Sequence, residues 1–448
     1  MVPDHDTIVA PATAAGGAIA VIRLSGGDAL AICDRFFCGQ CPLTQAKGYT
    51  VHYGRITEGD WTLDDVLVTV FRAPHSYTGE DSVEISCHGS QYIVSEILHM
   101  ALAAGARMAT PGEFTLRAYL AGKLDLAQAE AVADLIASSS ETAHTMAINQ
   151  MRGGFSSSLE TLRDKLLRLT SLLELELDFS DEQVEFADRT LLRDIMLRIS
   201  TEIDTLRRSF TLGNAIKEGV AVAIVGAPNV GKSTLLNQLL NDDRVMVSEI
   251  AGTTRDVIEE STNIAGVIFR FLDTAGIRAT DDQLEQMGIE RTMKSIERAQ
   301  IIIRLLDATQ PLPTSVPFAV RPDQTLLTLV NKMDLAPTLT LPPYAFALAA
   351  KQGEGVDQLR QILRAVVNTT ALYDGDTVIS NSRHYEALSA ARTALDGALD
   401  GLRDQLPTDL LSEEIRHVIS HIGLITGRGV ITSDEVLQNI FSKFCIGK

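Results

Sequence analysis

The sequence is poor in cysteine and in positive charge, and it has no long apolar run. Five Cys in 448 residues are too few for a disulfide framework, which fits a reducing, cytoplasmic setting. Lys and Arg number 39 against 58 Asp and Glu, giving a net charge of −19 and a pI near 4.9. Such acidity excludes a general phosphate-binding surface, so any contact with nucleic acid is expected to be local or supplied by a partner. No apolar stretch approaches the roughly 20 residues that span a bilayer; the longest, Val220–Val225, is strand-length. The first residues carry no basic flank, so no secretory signal is expected. What is present is ordinary for a globular chain: 45% hydrophobic and 22% charged residues, which excludes disordered and fibrous classes. At roughly 100–200 residues per domain, the length predicts two to four domains.

Three textures follow one another. Residues 1–120 mix short β-rich runs (18–24, 65–71 and 82–86) with turns and a helical stretch at 94–104, and predict a compact α/β or α+β unit. Over 125–210 the pattern is helical. Ser157 and Glu160 form a candidate capping box, and Leu159, Leu162, Leu166, Leu169 and Leu173 follow at helical spacing. Helical texture returns over 383–406, carried by Leu388, Leu395, Leu399, Leu402 and Leu406, and persists to the last residue. Between these blocks, residues 219–367 alternate strands with helices and loops, and half of the 14 prolines fall in 311–343. The economical reading is an α/β domain inserted into a helical domain. Residues 174–188 hold seven acidic side chains and no basic one. They read as a solvated helix end and loop, because their spacing fits no metal-ligand template.

The strand Val220–Val225 runs into Gly226-Ala-Pro-Asn229-Val230-Gly231-Lys232-Ser233-Thr234 and a helical stretch opening on Leu235 and Leu236. This is the phosphate-binding loop pattern G-x-x-x-x-G-K-[ST] in the strand–loop–helix setting it requires. Glycines let backbone N–H groups and the helix N-terminus point at phosphate oxygens. Lys232 brings charge to the β- and γ-phosphates, and the Ser233 hydroxyl is a Mg²⁺ ligand. Downstream, Asp273-Thr274-Ala275-Gly276 follows an apolar run, where the Asp reaches the Mg²⁺ shell and the Gly N–H senses a γ-phosphate. Asn331-Lys332-Met333-Asp334 follows another apolar run. In this N-K-x-D form a carboxylate accepts two N–H bonds from guanine, which adenine does not offer. Ala349-Ala350-Lys351 stands where a backbone N–H would meet the guanine O6. With Thr253 and Thr254 as a switch segment, the series spells a GTPase.

Two details narrow its kind. Ile277 stands where Ras-like enzymes place the water-orienting Gln, so another group must position the attacking water. Glu285, on the following segment, is the candidate, and a solvated helix carboxylate is its other reading. Asn229 offers a side-chain carbonyl that could hold a monovalent cation against the phosphates, in place of an arginine finger.

The nucleotide motifs, Gly252-Thr253-Thr254-Arg255-Asp256 and the terminal Phe444-Cys445-Ile446-Gly447-Lys448 resemble the bacterial tRNA modification GTPases of the MnmE (TrmE) family. Stretches beginning at Asp6, Ile22, Ser76, His88, Pro111, Lys123 and Asp178 match too, so the resemblance runs end to end. It implies a multidomain α/β plus all-α fold. An N-terminal α/β domain (1–121) binds 5-formyl-tetrahydrofolate or a related one-carbon tetrahydrofolate and dimerises. A helical domain (122–218 and 372–448) is interrupted by an inserted Ras-like P-loop G domain (219–371). The resemblance places the folate on Arg23, Glu80, Lys123 and Lys448. It extends the GTP site to Ser248, Glu249, Ile250 and Ala251, with Mg²⁺ on Ser233 and Thr254 and K⁺ on Asn229, Ser248, Ile250 and Thr253. G domains then pair across their nucleotide faces when K⁺ is bound, Glu285 and Lys232 serve hydrolysis, and Cys445 is a reactive thiol near the folate. As a homodimer, and in a heterotetramer with the FAD-carrying flavoprotein MnmG, the family modifies tRNA in the cytoplasm. It adds a carboxymethylaminomethyl or aminomethyl group at carbon 5 of the wobble uridine.

Two stretches depart from the family pattern: Ala14-Ala15-Gly16-Gly17 lacks the Arg that many relatives carry, and Thr426-Gly427-Arg428-Gly429-Val430 is unusually glycine-rich. Cys38-Gly-Gln-Cys41 is a single C-x-x-C without a second pair and reads as incidental. Gly447 and Lys448 rule Cys445 out of a prenylation box, and a structural thiol in a packed tail is its alternative role. Two other functions stay open: a ribosome-assembly GTPase, although no basic RNA-binding module is visible, and a regulatory switch that only gates partner binding.

Overall fold

The computed structural model describes residues 6–14, 16–178, 189–240, 260–272, 285–313, 315–367, 377–428, 434–442, 444 and 447. The chain divides into two compact units, Met1–Ala133 with Ser420–Lys448, and Asp134–Ile419.

The first unit is built on a seven-stranded sheet in the order β3-β4-β5-β6-β2-β1-β7. Its strands are β1 (Ile8–Pro11), β2 (Ile19–Ser25), β3 (Phe37–Gly39), β4 (Thr50–Glu58), β5 (Trp61–Phe71), β6 (Ser82–His88) and β7 (Arg107–Met108). All neighbours are antiparallel except β1 and β7. Alternation sorts the side chains. Ile22 and Leu24 of β2 and Val83 and Ile85 of β6 form a core with Leu30 of α1 (Ala29–Cys33) and Ile97 and Ala101 of α2 (Gln91–Ala103). Arg23 and Glu84, the residues between, project to the other face. There Arg23 meets α3 (Glu113–Leu120), whose Phe114 is fully buried. Leu126 and Ala129 of α4 (Leu126–Ala137) pack with Ile440, Phe441 and Phe444. The tail then reaches β1: Gly447, at φ +93°, lies so close to the backbone of Pro11 and Ala12 that any side chain would clash. Pro11 pairs with Ile22, one step from Arg23.

In the second unit α5 (Glu141–Met151), α6 (Gly154–Asp178) and α7 (Arg189–Glu218) lead into an α/β module. The module comprises β8 (Val220–Val225), α8 (Lys232–Leu240), β9 (Glu260–Ile264), β10 (Val267–Phe271), α9 (Glu285–Arg298), β11 (Ile301–Asp307), β12 (Thr325–Asn331), β13 (Ala345–Ala347) and α10 (Val356–Val366). The helices α11 (Ser382–Arg403) and α12 (Thr408–Thr426) follow. The six strands order as β13-β12-β11-β8-β10-β9, parallel apart from β9. β8 is apolar throughout because both of its faces are covered. Val222 and Ile224 enter one core with Leu235 and Leu239, and Ala221, Ala223 and Val225 enter another with Ile296 and Ile302.

The helical reading needs two corrections. Leu159, Leu162, Leu166, Leu169 and Leu173 are all buried, but α6 already starts at Gly154. The Ser157 N–H bonds to the Gly153 carbonyl at 2.9 Å, so Ser157 sits inside the first turn and caps nothing. α11 ends at Arg403 because Gln405 turns left-handed at φ +57° and the Leu406 N–H returns to the Gly401 carbonyl at 2.8 Å. Leu406 is therefore exposed and Leu399 only half-buried, while Ala391 and Ala398 complete the apolar stripe. Among the described residues no helix is long and apolar enough to cross a membrane.

Candidate functional site

The loop from Gly226 to Gly231 leaves the end of β8 and enters α8, as the sequence pattern requires. Gly231 has φ +102°, and a side chain there would strike the Asn331 amide, which is why this position excludes every larger residue. Lys232 folds back over the loop, its Nζ donating to the Gly226 carbonyl at 2.8 Å and the Ala227 carbonyl at 2.9 Å. Burial lowers the pKa of this ammonium, and an anion beside it would work against that bias. Asn229 is exposed on the loop at φ +61°, and Val230 is buried beneath it. Ser233 and Thr234 lie in the first turn of α8 and are half-buried.

The base side is joined to the phosphate side through Asn331, which is 3% exposed. Its Nδ2 donates to the Val230 carbonyl at 2.8 Å, and its Oδ1 accepts the Ala350 N–H at 2.9 Å. One buried amide thus ties the N-K-x-D segment to both the phosphate loop and the segment Ala349, Ala350 and Lys351. The Ala349 N–H goes to the Glu354 carbonyl at 3.0 Å. Asp334 is exposed and accepts from Gln352 Nε2 at 2.8 Å. Lys332, left-handed at φ +64°, pairs with Asp307 at 2.6 Å. Burial works against the Asp307 carboxylate, yet Lys332 and Thr309 hold its pKa below the usual range. Sequence reasoning missed Asp307, although it ends β11 in register with Asn331.

A second cluster lies in the first unit. Glu80 accepts from Ser25 Oγ at 2.7 Å and from Arg117 Nη1 at 3.1 Å. Arg23 donates through Nε to Glu84 at 2.8 Å, and its guanidinium lies 5.6 Å from the ring centres of both Tyr77 and Phe114. The Lys123 stem lies against Gly79. Arg23, Glu80 and Lys123, far apart in sequence, therefore all flank the turn that holds Tyr77, Gly79 and Glu80.

Beneath them runs an ion network that sequence reasoning also missed. Arg117, 5% exposed, contacts Asp6 at 2.6 Å, Glu80 at 3.1 Å and Glu113 at 3.2 Å, while Arg107 bonds Asp6 at 2.7 Å and Glu113 at 2.6 Å. Burial opposes ionisation of Glu113, but Arg107, the Thr110 N–H and Arg117 pull its pKa down to about 2. The sequence signal was the i,i+4 pair Glu113 and Arg117, which ordinarily marks a surface ion pair.

Glu285 stands at the start of α9, and its side chain lies outside the described residues. Ser248, Glu249, Ile250, Ala251, Gly252, Thr253, Thr254, Asp273, Thr274, Ala275, Gly276, Cys445 and Lys448 lie outside them altogether.

Comparison with known proteins adds the family. A model described as the MnmE helical domain matches residues 126–445, and one described as the GTP-binding protein TrmE N-terminus matches residues 7–123. The chain is 49% identical to the tRNA modification GTPase MnmE of Parabacteroides distasonis, over 99% of this chain and 100% of that protein. It is 48% identical to the protein of the same name in Flavobacterium psychrophilum, over 99% of each. Among solved structures it is similar to Era in complex with MgGDPNP and a 16S ribosomal RNA segment, at 28% identity. That match covers 39% of this chain and 65% of the other, with a TM-score of 0.24. On the strength of the two family models and the full-length relatives, the chain belongs to the MnmE (TrmE) family of tRNA modification GTPases.

Proposed function

We propose that this protein couples GTP hydrolysis to modification of the wobble uridine of certain tRNAs, with a one-carbon tetrahydrofolate held by its N-terminal unit. The observation that carries the GTP reading is Asn331, which locks the phosphate loop to the guanine-side segments through Val230 and Ala350. A nucleotide would bridge two subsites that are already joined, so little ordering remains when it binds.

Loop N–H groups and Lys232 orient the phosphates, and Asp334 accepts the guanine N–H edge. The hard hydroxyl oxygen of Ser233 fits Mg²⁺, with Thr254 as its second ligand; when bound, this ion would neutralise charge between the β- and γ-phosphates. The exposed, left-handed Asn229 fits a K⁺ site, with Ser248, Ile250 and Thr253 completing the donors. Such an ion would stabilise the charge that develops as two G domains face one another. Glu285 holds the attacking water and accepts its proton, the role left open by Ile277.

On the N-terminal unit the residues fit a reduced folate. Lys123 and Arg23 offer cations to its carboxylates, and the Glu80 side-chain oxygens can accept N–H groups from a pterin edge. Lys448 follows Gly447, whose backbone packs on β1 beside Arg23. The protein works as a homodimer and, with the FAD-bearing flavoprotein MnmG, as a heterotetramer in the cytoplasm. The partner holds most of the tRNA and GTP hydrolysis drives the conformational cycle. The test of the G-domain reading is steady-state GTP turnover in K⁺ against Na⁺ at matched ionic strength. Turnover should be clearly faster in K⁺, and equal rates would remove the cation from the mechanism.

A further inference from the structure

His52 on β4 faces Cys41, which follows β3 by two residues. Between them the hydrogen bonds fix the position of a proton. The Thr50 hydroxyl has one hydrogen, which it donates to the Lys47 carbonyl at 2.6 Å. Toward His52 the same oxygen can therefore only accept, and it takes the Nε2–H at 2.8 Å. A neutral His52 thus carries its proton on Nε2 and turns the Nδ1 lone pair toward Cys41 Sγ, 3.9 Å away. The arrangement is a thiol, a base and a group that orients the base.

Its surroundings suit reactivity. Cys41 and Cys38 are both exposed, but only Cys41 faces the His52 imidazole. Cys33 and Cys87, by contrast, are buried, and burial raises both thiols, Cys87 to about 11.

We propose that Cys41 is a nucleophilic thiol activated by His52 and that it reacts with hydroperoxides and other soft electrophiles. His52 Nδ1 takes the Cys41 proton, and the thiolate attacks the peroxide. An S–O bond forms as the O–O bond breaks, and the departing oxygen takes the proton back from His52. Cys41 is left as a sulfenic acid while the peroxide is reduced to water or an alcohol, and a small dithiol returns the sulfenic acid to the thiol with release of water.

Arg35 and Lys47 bracket both thiols within one tryptic peptide, so the outcome can be read by mass spectrometry on the full chain. Brief treatment with hydrogen peroxide at about one equivalent should add one oxygen to this peptide, at Cys41 and trapped there by dimedone, leaving the Cys38, Cys33 and Cys87 thiols free. Iodoacetamide should label Cys41 about tenfold faster than Cys38. His52→Gln and, independently, Thr50→Val should bring the Cys41 rate down towards that of Cys38, with GTP turnover retained as proof of an intact fold. In Cys41→Ser, Cys38 should survive the same peroxide dose unoxidised. Equal labelling of the two thiols in the native protein, or a Cys41 rate unchanged in both variants, would overturn the proposal. So would oxidation of Cys38 in Cys41→Ser as fast as that of Cys41 in the native protein.

Discussion

Asp307 and Lys332 show how a residue with no motif of its own supports one that has. The ammonium of Lys332 is fixed at 2.6 Å from Asp307, so the left-handed turn that presents Asp334, the proposed guanine acceptor, is anchored to β11. Asp307→Asn keeps the size and removes the charge. It should weaken GDP affinity about fivefold, equivalent to about 1 kcal/mol for a partly buried pair, with thermal stability nearly unchanged; fluorescent-nucleotide titration reads it. Glu285→Ala addresses hydrolysis directly. It should lower kcat by about 100-fold or more while nucleotide affinity stays the same, and a loss of affinity with intact turnover would make Glu285 structural. At Glu113 the consequence is one of pH. Its pKa falls from the ordinary 4.5 to about 2 on folding, so its stabilisation is full above 4.5 and disappears as pH drops towards 2. The loss is on the order of 3 kcal/mol. Acid unfolding followed by circular dichroism should show Glu113→Gln already destabilised at pH 7 and flatter than the native protein below pH 5. The residue scale also shows where sequence reading stops. Lys232, Asn331 and Asp334 stand out as candidates in the sequence because the chemistry of their motifs fixes the spacing. Arg117 does not, because an i,i+4 pair looks the same on a surface as in a buried network.

At the scale of elements, the turn between β9 and β10 is held from outside its own module. Ser140 caps α5 by accepting the Ala143 N–H at 3.2 Å, and Thr142, 1% exposed, donates its hydroxyl to the Gly266 carbonyl at 2.6 Å. Lys217 on α7 meets Asp134 at 2.8 Å near the same helix. β9 and β10 lie in sequence between Thr253–Thr254 and Asp273–Gly276, the proposed switch segments, so this contact grips the chain between those two stretches. Thr142→Val is isosteric and removes only the hydrogen bond. It should cost about 1 kcal/mol, because the half-buried Gly266 carbonyl loses its donor, measured by urea unfolding of the full chain. Element reading from sequence succeeded where apolar periodicity was unbroken, as in β8 and in the leucines of α6. It failed at ends and in polar strands. β9 reads Glu-Ser-Thr-Asn-Ile and shows little hydrophobic alternation, and the start of α6 was set by Gly153 and Gly154, not by the capping pattern at Ser157.

At the scale of the molecule, a chain of net charge −19 presents a general surface that repels a polyanion. The family to which it belongs nevertheless has tRNA as its concern. The two facts agree if this protein supplies nucleotide hydrolysis and the folate, while a partner supplies the grip on tRNA. In that case the isolated protein should bind tRNA weakly, with affinity falling steeply as salt rises, and a filter-binding titration at two salt concentrations would measure it. The order of the domains was legible from the change in texture along the chain. Less legible was the C-terminal segment, which returns to the first unit and packs on α4 and β1. That return depends on contacts across more than 300 residues of sequence, which no local pattern records. The account as a whole rests on wobble-uridine modification, and nucleoside analysis of tRNA from cells lacking this gene tests it most directly. Loss of the carbon-5 aminomethyl-type nucleosides, restored by the native gene and not by Glu285→Ala, is the predicted result; a wobble-uridine profile unchanged by the deletion would contradict it.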